Sequence, residues 1–279
     1  MEDLYISSVE FLVSALDVQK FTLRDIILSE PAPPWLGDVH DGREIDLEVG
    51  FSLIRTMLRN GMISCSLESE GTLRVRVETD FYLSVEICAN AVNSLAHIER
   101  MGLHSVQVPC LEEEESLISR PADDGFWREV AEFSRSAISV PVVLERWAQG
   151  SHGYQWYLIE GGDFSRVAKS VRRHSLVVAY FDAKVQWVSR NELGNSIKST
   201  LLEDDFVVIF SRPKGEEKVK FVTCGEGIPL PGEDELPPGE DFGYFVWPDE
   251  DESPTLRAVV PGEDGRIVAR WPEIDASAS

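Results

Sequence analysis

Leu53-Ile54-Arg55-Thr56-Met57-Leu58-Arg59-Asn60-Gly61-Met62-Ile63 passes from a helical pattern through a glycine into a strand pattern. Upstream, Ile45, Val49, Leu53, Ile54, Met57 and Leu58 recur at helical spacing, which predicts a helix over 44–59. Gly61 falls where a left-handed helix cap is expected. Downstream, Met62 to Leu67 and Leu73 to Val77 read as two strands joined at Glu70-Gly71. In the second, Arg74 and Arg76 point away from Leu73, Val75 and Val77. Further out, Val9, Leu12, Val13 and Leu16 predict a helix over 7–17, and Thr22 a capped short helix to Leu28. Asp80 is placed to cap a long helix through Ile98, with Phe81, Val85, Cys88, Val92 and Leu95 on one face.

Helix, helix, helix, hairpin, helix resembles a winged-helix domain, here over residues 5–98 of a first domain 1–100. The resemblance implies a DNA-binding surface over residues 44–78, with the helix from Ile45 as recognition helix. That helix offers Arg55 and Arg59 near its end. At its start Glu44, Asp46 and Glu48 would face phosphate unfavourably. Winged-helix domains also serve as protein-binding modules.

Residues 101–123 read as an acidic linker, with the run Glu112 to Glu115 and then Pro121. Residues 124–279 read as a second domain, so the expected class is α+β. Phe126 to Ser136 predicts a helix, and Val140 to Trp147 a strand. From Tyr154 to Phe210 the predicted order is strand, helix, strand, strand, helix, strand, the split βαβ pattern of ferredoxin-like folds. Leu176 to Phe181 and Phe206 to Phe210 are continuous apolar runs, as in a sheet covered on both faces. Val185 to Val188 is expected to pair with the first of them. Further strands are expected at 218–223, 244–247, 256–260 and 266–271. Pro-Gly-Glu-Asp turns start at Pro231, Pro238 and Pro261.

The net charge is −23, from 26 basic and 49 acidic residues. Such a chain repels nucleic acid and anionic membranes as a whole, and a cationic partner suits it better. The charge is polarised: residues 1–100 sum to −9, 101–200 to −2 and 201–279 to −12. Glu226 to Glu252 holds ten acids and no Lys or Arg. Cys65, Cys88, Cys110 and Cys224 are widely spaced, as expected of reduced thiols. The acidic Met1-Glu2-Asp3 start is unlike a signal peptide, and no apolar run approaches the roughly 18–20 residues of a membrane span. The expected location is the cytoplasm.

None of the five histidines stands at metal-ligand spacing, and the acids at 249–252 lack the alternation of a calcium loop. No metal or cofactor is expected. The sequence holds no G-x-S-x-G elbow, Walker loop or G-x-G-x-x-G fingerprint, so the reading is non-enzymatic. Two charged features remain. Phe242, Tyr244, Phe245 and Trp247 lie among Glu240, Asp241, Asp249, Glu250, Asp251 and Glu252. Aromatic anchors ringed by acid are the make-up of a partner-binding surface, and the same aromatics also fit a core strand. Arg166, Lys169, Arg172 and Arg173 line one side of a helix expected from Asp163 to about Arg173. They could form an anion site, or a solvated face that docks the acidic tail.

Acidic, cytosolic and without catalytic motifs, the chain is similar in character to bacterial immunity proteins and inhibitors of nuclease toxins. That similarity implies a basic protein partner, such as a toxin domain. The alternative expectation is a winged-helix transcriptional regulator.

Overall fold

The structure is a computed structural model. It describes residues 2–78, 80, 82–88, 94–108, 116–137, 139–159, 161, 162, 164–200, 206–211, 220–224, 241–247 and 254–273.

The first half holds α1 (Glu2–Ala15), β1 (Lys20–Leu28), a short 3-10 turn (Pro34–Leu36), β2 (Glu44–Asp46), α2 (Leu47–Asn60), β3 (Ile63–Ser69), β4 (Leu73–Val77), β5 (Leu83–Ile87) and α3 (Leu95–Arg100). The strands form one antiparallel sheet in the order β2-β1-β3-β4-β5. Leu12 of α1 and Leu53 and Met57 of α2 pack against Phe21, Leu67 and Val75 of one sheet face. The opposite face carries Arg24, Ser66, Glu68, Arg74 and Arg76, as the alternation of β4 requires. Gly61 caps α2 in the left-handed conformation (φ 60°).

Three elements here differ from expectation. Residues 20–28 are the second strand of the sheet rather than a helix. The pairs Arg24↔Ser66 and Ile27↔Ser64 enclose one extra residue on β1, a β-bulge. Buried positions therefore run Phe21, Leu23, then Ile26, Leu28. The parity break hides the strand's period of two and places Leu23, Ile26 and Ile27 at helix-like spacing. Secondly, residues 83–87 form β5, because Leu83, Val85 and Ile87 pair with Val77, Val75 and Leu73. A period of two satisfies the four-residue step from Phe81 to Val85 as well as a helix does, and only the three-residue step to Cys88 distinguishes the two. Thirdly, α2 begins at Leu47, since Glu44–Asp46 pairs with Lys20–Thr22. The helix order behind the winged-helix resemblance is thus replaced by helix, strand, strand, helix and three strands.

The second half contains α4 (Asp124–Ser136), β6 (Val142–Arg146), β7 (Tyr154–Leu158), α5 (Phe164–Ser170), β8 (Leu176–Tyr180), β9 (Gln186–Ser189), α6 (Arg190–Thr200), β10 (Val207–Ser211), β11 (Lys220–Cys224), β12 (Asp241–Val246) and β13 (Thr255–Val259). With both helices and antiparallel sheets, the class is α+β. The order from β7 to β10 is the one expected. Its strands nevertheless divide between two sheets, β13-β8-β6-β7 and β11-β10-β12-β9, and β9 pairs with β12 rather than β8. Among the described residues no single ferredoxin-like sheet forms. Residues 266–271 are irregular backbone rather than a strand.

The two sheets face one another through Leu144, Trp156, Val178, Phe210 and Phe245. Helices α4 and α5 cover the outer face of the first sheet with Phe126, Val130 and Phe164. Helix α6 covers the outer face of the second with Leu193 and Ile197. This helix-sheet-sheet-helix stack buries both faces of β8 and β10, which explains their unbroken apolar runs. Gly243 lies beneath the Phe210 ring, where an added Cβ would come within 2.2 Å of the ring carbon Cζ.

The halves join where β2 stops short of the end of β1. There the β6–β7 loop takes over the free edge of β1. Gln149 N–H donates to Ile26 O at 2.7 Å, Leu28 N–H to Gln149 O at 2.8 Å, and His152 N–H to Leu28 O at 3.1 Å. Gly150 (φ 82°) allows this approach, since a Cβ there would sit 2.5 Å from Leu28 O. Trp147 and Ala148 enter the core of the first half.

Candidate functional site

A cleft of about 580 Å³ opens at this junction. Its floor is the polar face of the first sheet, with Glu68, Arg74 and Arg76. Trp147 and Gln149 of the β6–β7 loop and Leu117, Arg270 and Trp271 form the walls.

The bulge on β1 shapes the cleft. Asp25 stands in it with φ 52°, the left-handed region that a non-glycine residue enters at a cost of roughly 1–3 kcal/mol. Bulges re-aim side chains, and this one turns the Asp25 carboxylate into the cleft. Three contacts fix it. Asp25 N–H donates to Asp41 Oδ2 at 3.1 Å, and Asp25 Oδ2 accepts from Ser66 Oγ at 3.0 Å and Arg74 Nη2 at 2.6 Å. Asp41 is buried and saturated: its Oδ1 also accepts from Arg24 Nη1 at 2.6 Å and from Arg270 N–H at 2.8 Å. Glu68 gathers Arg24, Arg74 and Arg270, with Arg270 Nη1 donating at 3.2 Å. Burial alone would lower the Arg74 guanidinium. Its hydrogen bond to Asp25, with Glu68 and Glu86 nearby, outweighs burial and holds it above its ordinary value.

A second polar cluster lies just behind the cleft, at the C-terminal end of β6. Glu145 is wholly buried, and it accepts from Tyr157 Oη at 2.6 Å, Arg172 N–H at 2.5 Å and Ser175 Oγ at 3.2 Å. Burial, then donation to Glu145, pushes the Tyr157 hydroxyl above the usual tyrosine range. The Arg172 guanidinium sits over the Trp147 ring at 3.8 Å. This cluster fastens β6, β7 and the segment after α5, and its polar groups are satisfied internally.

The residues singled out from the sequence fall elsewhere. Phe242 and Tyr244 are buried beneath α6, and Phe245 is buried between the sheets. Trp247 is half-buried, edge-on to Trp156 at 4.9 Å. Phe242, Tyr244 and Phe245 are therefore core side chains of β12, with Trp247 half-buried just after it, and the four do not form an exposed partner surface. A strand covered on both faces has no side free to present anchors. Asp241 begins β12 opposite Ser189. Glu240, Asp249, Glu250, Asp251 and Glu252 lie outside the described residues, as do Asp163 and the run Glu112 to Glu115.

The basic cluster is also dispersed. Helix α5 ends at Ser170, so Arg166 and Lys169 are on it while Arg172 and Arg173 follow it. Arg172 turns to Trp147, and Arg173 pairs with Glu263. Arg55 and Arg59, the cations of the supposed recognition helix, both pair with Glu2 of α1.

Sequence reading missed Asp25, Asp41 and Glu145. Asp25 left one trace, the break in alternation between Leu23 and Ile26. Among the described residues no three His, Cys, Asp or Glu side chains converge so as to hold a metal ion. Among them, too, no helix is long and apolar enough to cross a membrane. No protein-family model, curated protein or solved structure matches this chain.

Proposed function

We propose that this protein is a non-enzymatic acidic binding protein of the immunity type, which neutralises a basic protein partner such as a toxin domain. The disposition of charge carries this reading. Lys20, Arg24, Arg59, Arg74, Arg120, Arg173 and Arg270 each have a carboxylate partner within the fold. These seven cations are thus engaged within the fold, while over the whole chain acidic residues outnumber basic ones by 49 to 26. The surplus carboxylates set the outward field, which accelerates encounter with a cationic protein and disfavours nucleic acid.

The test is association with a panel of purified cationic nuclease-toxin domains, measured by biolayer interferometry at low and high salt. The reading expects tight, salt-weakened binding to at least one and inhibition of its activity. Lysine at 249–252 in place of Asp249, Glu250, Asp251 and Glu252 should slow association about tenfold or more. No association with any panel member at low salt overturns the reading. Binding unchanged by the charge reversal removes the acidic segment from it.

A further inference from the structure

The junction cleft has unused binding capacity of both signs. Asp25 Oδ2 is taken by Ser66 and Arg74, whereas Oδ1 has no partner among the described residues, and the side chain is 48% exposed. Asp41 and Glu68 are occupied by the arginines around them. On the donor side, the only ion pair of Arg76 among the described residues is a long one, 3.8 Å to Glu78. Arg270 commits one guanidinium nitrogen to Glu68 and is half exposed. The spare acceptor and donors are neighbours. Arg76 stands directly across the strand pair from Ser66, the residue whose hydroxyl holds Asp25. Side chains so paired are about 5 Å apart at Cβ.

The balance of charge selects the ligand. Asp25, Asp41 and Glu68 face Arg74, Arg76 and Arg270, so the lining is formally neutral. A simple cation would enter beside three guanidinium groups. A simple anion would meet Asp25 and approach a protein of charge −23. A molecule carrying both charges close together satisfies both spare sets and feels no net long-range repulsion. Trp147, Trp271, Leu117 and Pro272 add apolar wall, and about 580 Å³ is within the usual range of small-molecule sites.

We propose that the cleft binds a small zwitterion of the α-amino-acid class. The ammonium group is received by Asp25 Oδ1, the carboxylate by Arg76 and Arg270, and the side chain lies against the apolar wall of Leu117, Pro272 and the edges of the buried Trp147 and Trp271. The bulge and the left-handed backbone at Asp25 then have a purpose, which is to present a pre-oriented carboxylate beside a row of arginines. This site is independent of the acidic exterior and of partner capture.

The test is calorimetric titration and thermal shift of the full chain with the proteinogenic amino acids, each at up to about 10 mM. At least one apolar or aromatic amino acid should bind and raise the melting temperature. Its decarboxylated amine and its deaminated acid should each bind about tenfold or more weakly. Asp25→Asn tolerates the same left-handed backbone, and Arg76→Gln changes a side chain outside the core. Both should reduce affinity about tenfold or more. If Asp25→Asn fails to fold, Arg76→Gln decides. The proposal is overturned if no amino acid binds, if the amine or the acid binds as well as the zwitterion, or if Arg76→Gln binds like the native chain.

Discussion

The imidazoles of His40 and His174 stack across the junction, with ring centroids 4.4 Å apart and planes inclined by 25°. His40 belongs to the loop before β2. His174 precedes β8 and is itself left-handed, at φ 65°. His174 Nδ1 is buried without a hydrogen bond, while Nδ1 of His40 lies 3.0 Å from Asp41 O. Burial, then His40 and Arg173, hold His174 below the ordinary histidine range, against the pull of Asp38 and Asp264.

This stack gives stability a pH dependence of defined sign. The folded chain takes up the His174 proton less readily than the unfolded chain, whose histidines titrate near pH 6.5. The contribution of neutral His174 is therefore complete above about pH 6.5 and is lost as pH falls through its lower folded value. Melting temperatures between about pH 8 and pH 5 should decline on the acid side. His174→Asn, which accepts the left-handed backbone, should flatten that decline. An unchanged slope in the variant would count against the stack as its source.

Phe242 distinguishes a core strand from a partner surface. Its side chain is fully buried with Leu193, Ile197 and Ile209. Phe242→Ala should cost about 3–5 kcal/mol in denaturant unfolding, the range of buried phenylalanine truncations. A loss under about 0.5 kcal/mol, as at exposed sites, would contradict the burial.

Glu145 is a buried carboxylate held by three donors, and it is sensitive to isosteric change. In Glu145→Gln one of those donors faces an amide N–H₂ in place of an oxygen, so the midpoint of urea unfolding should fall by the equivalent of about 1–3 kcal/mol. The same cluster keeps Tyr157 protonated in the folded chain beyond the usual tyrosine range near pH 10. Ultraviolet titration should show Tyr157 ionising only as the protein unfolds in alkali, so Tyr157→Phe should reduce the late step by the absorbance of one tyrosine.

Cys65 is fully buried, and burial, with Asp25 adding to it, pushes its thiol up to about 12. Since the thiolate is the nucleophile, iodoacetamide at about pH 8 should leave Cys65 unlabelled in the native chain while the half-buried Cys88 reacts. Mass spectrometry of the digested protein reads this out. Labelling of Cys65 at the rate of free thiol would refute its burial.

The limits of the sequence reading follow from the period of each element. Helix α2 and its glycine cap, the hairpin β3–β4 and the apolar strands β8 and β10 were legible, because each carries an unbroken local pattern. Strand β1 was not, because the bulge at Asp25 shifts its parity midway. Strand β5 was not, because its apolar spacing fits both periods and pairing with β4 decides between them.

The α+β class, most element positions in the second half and the acidic surplus are readable from the residues alone, since these rest on local periodicity and composition. Long-range packing settles the rest. It divided the expected single sheet in two, because α4, α5 and α6 need two outer faces to cover. It buried Phe242 and Tyr244, since α6 lies over β12. It also brought Asp25, Arg76 and Arg270 to one cleft, from positions 245 residues apart at their extremes, through pairings that no local pattern encodes.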